Sequence, residues 1–213
     1  DCAMALLNDD VTVTPGWLGP LTSAIASDEH IGGVQPKMLV ADTEPRLVNS
    51  LGVKIDGAGA GSDIGYLEPD GPAWSTAGPI KIFTGGAVLL RATFIEDLDG
   101  FDERYFLYYE DVDLALRGRE RGWTFWCAPA SVVHHVGGAS VASLGDDVRR
   151  LQDRNRLWTA FRFGSMRGIY AAVWLSIRRL RHHPRRAHRR ALAAGLRGAP
   201  RRLLERWRAA RRL

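Results

Sequence analysis

The chain has 213 residues, 46% hydrophobic and 25% charged, an ordinary globular composition long enough for one sizeable core. Two cysteines exclude a disulfide framework and a cysteine metal cluster, and the longest apolar stretch, residues 168–177, is too short for a membrane span. The net charge of +5 hides a division: residues 149–213 hold 20 arginines against Asp153 and Glu205, so they carry +18 and the preceding 148 residues carry −13.

The first element is an apolar run of strand length, CAMALLNDD, ending in polar residues. In TPGWLGPLTSAIAS, Thr14 is placed as an N-cap with Pro15 at the first helical position. IGGVQPKML (31–39) is predicted as a strand. Residues 41–79, rich in Gly, Pro and Asp, are predicted as a loop-rich excursion with a hairpin, the kind of segment in which enzymes gain specificity. IKIFTGGAVLLR predicts strand, a break at Gly85-Gly86, and strand; a short helix at 92–98 follows. A further helix is expected from about 111 to 121, with Val112, Ala115 and Leu116 on one face and Asp113 paired to Arg117 four residues on. GWTFWCAP and SVVHH are predicted as two separate strands, the first burying Cys127 as a free thiol. Beyond VGGAS the chain turns into arginine-laden helices. Strands alternating with helices indicate an α/β sheet covered on both faces, with ligands gathering at the carboxyl ends of strands, where Asn8, Asp9 and Asp10 lie.

Four short patterns carry chemistry, each with a plain alternative. Asn8-Asp9-Asp10 offers hard oxygen ligands suited to Mg²⁺ or Mn²⁺, or is simply a polar turn. Glu110, Asp111 and Asp113 stand at a helix start, where carboxylates complement the free N–H groups and the dipole, and where one could also serve as a base. His134 or His135 can supply a neutral imidazole ligand, or hydrogen bonds at a strand end. Gly85-Gly86 and Gly137-Gly138 allow close approach to a ligand, or make turns.

The order of these patterns is more specific than any one of them. LLNDD, FTGGAVLLR, DGFDERYFLYYEDVDLALRGRERGW, VVHHVGGAS and RNRLW, in that sequence, resemble the family 2 inverting glycosyltransferases, most closely rhamnosyltransferase-like and galactofuranosyltransferase-like members. The resemblance spans roughly residues 3–160. It implies an α/β fold, a GT-A-like mixed sheet flanked by helices and present in part, over residues 1–148, followed by a basic α-helical extension at 149–213. It further implies that the βαβ segment that binds the nucleotide in that family is not among these residues. By resemblance, Asp10, with Asp9, and His135 rather than His134 hold a divalent ion, and Asn8 begins the DXD-type motif that faces the nucleotide sugar. Asp111 matches the catalytic base. Gly85, Gly86, Glu110 and Asp113 border the substrates, with Asp113 also an anchor for its helix, while Arg91 is structural. The implied reaction moves a sugar from a nucleotide-sugar donor to a hydroxyl of a cell-surface glycan or lipid-linked acceptor. The alternative is a degenerate, non-catalytic scaffold carrying a basic tail.

That tail interleaves arginines with Trp158, Phe161, Phe163, Tyr170, Trp174 and Trp207, a composition of helices at a membrane interface. Peripheral contact with an anionic membrane is expected, on its cytoplasmic face. Nucleic acid is the weaker expectation, because the acidic body would repel it.

Overall fold

The computed structural model describes residues 2–136, 145–182 and 186–211. It divides into two compact units, residues 1–54, 62–102 and 111–140 forming the first, and 55–61, 103–110 and 141–213 the second. The boundary expected after residue 148 falls inside a helix, α4 (Gly145–Phe163), and the second unit takes in two segments from far upstream.

The first unit is built on a mixed sheet. Its strands are β1 (Ala3–Leu7), β2 (Val11–Val13), β3 (Ile31–Val40), β4 (Val48–Ser50), β7 (Gly78–Ile80), β8 (Ala87–Arg91) and β9 (Thr124–His135). The order is β1-β8-β3-β9-β2, with β4 also on β3 and β7 also on β9. A separate two-stranded sheet pairs β5 (Val53–Ile55) with β6 (Gly61–Asp63), the hairpin expected in the 41–79 excursion. Strand β3 is central, antiparallel to β8 and parallel to β9, and buried from Ile31 to Leu39.

Three expectations need correction. The first helix, α1 (Leu18–Ala26), begins three residues later than predicted. Gly16 has φ +77°, incompatible with a helical turn there, and the Thr14 hydroxyl donates to the Val132 carbonyl at 2.7 Å instead of capping. The two strands predicted within 122–135 are one strand, because β3 pairs with both halves, from Ile31↔Thr124 to Val40↔His135. The break seen in sequence at Pro129-Ala130 is an irregularity: Pro36 pairs with Ala128 and Lys37 with Val132, and the residues between are looped out, as suits a proline without an N–H.

The third concerns α3 (Glu110–Glu120), whose buried face is Val112, Asp113, Leu114, Ala115 and Gly118, not Val112, Ala115 and Leu116. Its Gly118 lies against an aromatic cluster in which Phe83, Phe94 and Phe125 meet edge to face at 5.0–6.5 Å between centroids. A Cβ on Gly118 would stand 2.6 Å from the Phe94 ring, so the helix comes this close only because that position has no side chain. Helix α2 (Ala92–Asp97) supplies Phe94, and α1 packs Leu21 and Ile25 on Ile31, Val34, Leu89 and Ala128. Arg91, at the end of β8, is buried with its guanidinium donating to the Ile25, Asp28 and Ile31 carbonyls, the structural role expected of it. Cys127 is buried, and burial pushes its thiol up to about 12.

The second unit holds α4, α5 (Met166–His182) and α6 (Arg186–Ala210) around Leu157, Ala160, Phe161 and Ala172. Not all of its arginines face water. Arg156, Arg162 and Arg202 are buried, Arg156 donating to the Ala58 and Ala172 carbonyls and to the Ser176 hydroxyl. Asp153 is likewise buried, between Arg179 and His188.

The RNRLW stretch acts through this unit. The Asn155 side chain donates to the carbonyls of Tyr105, Leu107 and Tyr108 at 3.0, 2.9 and 2.6 Å, and Arg154 donates to those of Arg104 and Tyr105. These bonds strap a segment in which Phe106, Tyr108 and Tyr109 all have positive φ, at 65°, 64° and 70°. Three such non-glycine residues in four positions cost on the order of 1 kcal/mol or more each unless the surroundings over-determine them. Asn155→Ala is therefore expected to destabilise the unit by about 1–3 kcal/mol, the cost of stranding buried acceptors. Urea unfolding measures the loss, and hydrogen exchange should quicken first across residues 103–110.

Candidate functional site

The site of the first unit starts where β1 ends. The chain turns at Asn8, whose carbonyl accepts the Val11 N–H at 3.2 Å, and β2 then pairs with the end of β9, setting Val11 opposite His135. That register brings Asp10 beside His135. The Asp10 Oδ1 lies 3.1 Å from His135 Nε2, with both side chains largely shielded. On the other side of the ring, His135 Nδ1 is 3.0 Å from the Oδ1 of Asn49 on β4. An amide oxygen only accepts, so this contact places the neutral ring's proton on Nδ1. Nε2 then presents a lone pair to a carboxylate oxygen. Asp10 Oδ1 is buried and receives no hydrogen bond, so the two lone pairs converge on a point that only a proton or a cation satisfies. Ligands about 2.1 Å from a metal and at right angles are about 3.0 Å apart, so the separation suits a shared divalent ion.

Side chains alternate across a strand, so His134 points away from this pair and His135 is the histidine the fold brings to Asp10. Asp9 is exposed at the turn. Among the described residues no three His, Cys, Asp or Glu side chains form a metal cluster, so Asp9 does not complete a protein cage with Asp10 and His135. The Gly137-Gly138 and Ser140 part of the VGGAS element lies outside the described residues.

A backbone relay links this pair to the acidic start of α3. Asn8 N–H donates to the Gly86 carbonyl at 3.0 Å, and Gly85 N–H donates to Asp111 Oδ2 at 2.7 Å. The other Asp111 oxygen accepts the Val112 N–H at 2.7 Å. A Cβ at Gly85 would stand 3.4 Å from the Asp111 Cβ, so a side chain here would crowd the carboxylate. Burial pushes the Asp111 carboxyl up, the Gly85 and Val112 amides pull it down, and the nearby Asp63 charge raises it again, leaving it above the ordinary carboxylate range. A carboxylate held this way is a stronger proton acceptor than an exposed one.

Glu110 is the half-buried first residue of α3. Asp113, expected beside the substrate, is instead 1% exposed and bonded to Arg117 Nε at 2.7 Å. Arg117 in turn donates to the Leu98 and Gly100 carbonyls, both at 2.8 Å, so this pair ties α3 to the end of α2. Asp113 is buried with Val112, Leu114 and Ala115 in a run of four consecutive residues, wider than a single apolar stripe would place in the core.

Three residues here carry no sequence signal. Asn49 orients His135. Gln35, fully buried on β3, accepts the Thr84 N–H at 2.8 Å and donates to Ser50 Oγ at 3.3 Å, which holds the loop that carries Gly85. Asp63, on β6, has its carboxyl pushed up by burial, with the Ser50 hydroxyl and the His135 ring pulling it down. The folded chain thus binds the Asp63 proton more tightly than the unfolded chain. This contribution to stability is full below the ordinary carboxylate pKa and is lost as pH rises through the folded value. Asp63→Asn is expected to raise stability at neutral pH, and the gain should vanish towards about pH 4, as urea midpoints across that range would show.

No family model matches the chain. It is 31% identical over 141 residues to the N-acetylglucosaminyl-diphospho-decaprenol L-rhamnosyltransferase of Mycobacterium tuberculosis, an alignment covering 60% of this chain and 45% of that protein. It is also 31% identical over 137 residues to the O-antigen biosynthesis protein RfbC of Myxococcus xanthus, covering 61% of this chain and 10% of the other. The chain therefore spans less than half the length of these relatives. Among solved structures, GalNAc-T7 with UDP, GalNAc and Mn²⁺ shares the fold, with a TM-score of 0.60 at 15% identity over 82% of this chain and 34% of that one.

Proposed function

From a chain that is a relative of glycosyltransferases and has a GT-A-like fold, we propose that it forms the metal- and acceptor-side part of an inverting sugar transferase. The donor would be a nucleotide sugar, and the acceptor a hydroxyl on a cell-surface glycan or a lipid-linked saccharide. The relatives' names support that acceptor class, one being a transferase to a diphospho-decaprenol-linked sugar and the other an O-antigen biosynthesis protein. The observation that carries the reading is the relay from the Asp10–His135 pair through Asn8, Gly86 and Gly85 to the half-buried Asp111 carboxylate.

Each group has a task in such a reaction. Asp111 takes the proton from the attacking acceptor hydroxyl, and the two backbone amides on its oxygens fix the direction of the carboxylate. Gly85 keeps the approach to it open. Asp10 and His135 would hold Mg²⁺ or Mn²⁺, with Asn49 setting the imidazole tautomer. Such an ion, when bound, offsets negative charge on the departing diphosphate. The remaining ligands would be water and donor phosphate oxygens, as is common for ions held by few protein groups.

The test is acceptor-dependent release of nucleoside diphosphate. The protein containing this chain is offered a panel of nucleotide sugars with lipid-diphosphate and glycan acceptors. Release that requires both substrates is expected. Donor binding without release for any acceptor would favour the non-catalytic scaffold.

A further inference from the structure

The helices of the second unit carry a feature that sugar transfer does not use. On α5, Met166, Tyr170 and Trp174 follow at i, i+4 and i+8 and are 73%, 72% and 49% exposed. By helical period Ile177 falls on the same arc, and Arg167, Arg178 and Arg181 lie on it or at its border. The opposite side of α5, with Gly168, Ala172 and Ser176, is buried. The helix has no acidic residue. At its C-terminal end Trp174, Ile177, Arg178, Arg181 and His182 line a cavity of about 340 Å³.

The structure separates this arc from the buried aromatics of the tail, while Trp207, on α6, is 53% exposed outside it. Phe161 is buried in the core of the unit. Trp158 is taken up by Tyr105, edge to face at 5.7 Å, and by the guanidinia of Arg154 and Arg202. What faces outward is a mixed apolar and cationic stripe. Aromatic rings and arginines could serve a nucleic acid, but Met166 and Ile177 have no ring to stack on bases and would stay exposed to water beside phosphates. Hydrocarbon satisfies them, and anionic headgroups satisfy the arginines. Among the described residues no helix is long and apolar enough to cross a membrane, so contact would be in the plane of the interface.

We propose that the outer arc of α5 docks on an anionic phospholipid surface. Trp174 sits at the interface, Met166, Tyr170 and Ile177 enter the acyl boundary, and Arg178 and Arg181 meet headgroup phosphates beside them. The proposal stands apart from the transferase reading, because vesicle binding is measured with no sugar or metal present.

The full chain is floated with vesicles of phosphatidylglycerol and phosphatidylcholine, or of phosphatidylcholine alone. Binding is expected only with the anionic lipid, falling as salt shortens the Debye length from about 8 Å at physiological strength to about 3 Å at 1 M. Replacing Arg178 and Arg181 together by Gln should weaken partitioning about 25-fold, roughly fivefold for each charge. Trp174→Ala should weaken it about tenfold even at low salt, since apolar burial is not screened. These positions are exposed, and circular dichroism verifies that each variant keeps its helices. In the unaltered chain, brominated acyl chains should quench tryptophan fluorescence. The proposal is overturned by failure to float on anionic vesicles, by absent quenching, or by a Trp174→Ala chain that partitions as before. Displacement from the vesicles by duplex DNA or RNA that binds the Trp174→Ala chain equally well would overturn it in favour of a nucleic-acid partner.

Discussion

Asp111→Asn should lower acceptor-dependent transfer by about 10²–10⁴-fold, the usual worth of a positioned base, while donor binding stays nearly unchanged. The substitution is close to isosteric. One side-chain oxygen can still accept the Gly85 N–H, so the loop keeps much of its support. What is lost is the ability to take a proton. Because burial holds the Asp111 carboxyl above its ordinary range, the acid limb of the pH–rate profile should lie above the value of an exposed aspartate and disappear in the variant. The stability consequence has the opposite sense to the catalytic one. A carboxyl whose folded pKa is raised contributes stability that is lost as pH rises through that pKa, so the neutral amide should be at least as stable at pH 7. Steady-state rates beside urea midpoints separate the two effects. A variant that keeps more than about a tenth of the activity would remove Asp111 from the mechanism.

Chelation should abolish transfer, and Asp10→Ala should do nearly the same by removing a ligand of the ion. Mn²⁺ binding followed by its electron spin resonance reads this directly, without turnover. Asn49→Ala leaves both ligands in place but frees the imidazole to change tautomer, so it should weaken metal affinity by about 10–100-fold. His135→Ala should cost far more than His134→Ala, since only His135 reaches Asp10. Mn²⁺ affinity that is equal in the unaltered chain and in Asp10→Ala would leave the 3.1 Å pair as an ordinary imidazolium–carboxylate contact.

Local patterns in the sequence announced most of the elements and the charged groups of the candidate site other than Asp63. NDD at a strand end, the glycine pair before β8, and three carboxylates at a helix start are short-range signals, written in consecutive residues. So was the change to arginine-rich helices after residue 148, because composition needs no partner to be read. Only the tertiary structure decided which groups act together. Asp10 meets His135 because β2 pairs with β9 across more than a hundred residues, and Asn49 and Gln35 join them from strands whose sequences look like ordinary polar positions. The same holds for Asp113, which local spacing could pair with Arg117 but could not assign to the core. Among the tail's arginines and aromatics, composition could not separate Arg156 and Phe161, which are buried, from Arg178 and Trp174, which are exposed. The physical reason is common to all of these. Periodicity and turn chemistry depend on neighbours in the chain, whereas burial, hydrogen-bond partners and proton affinity depend on neighbours in space, which the packing of β3, β9 and the helices alone supplies.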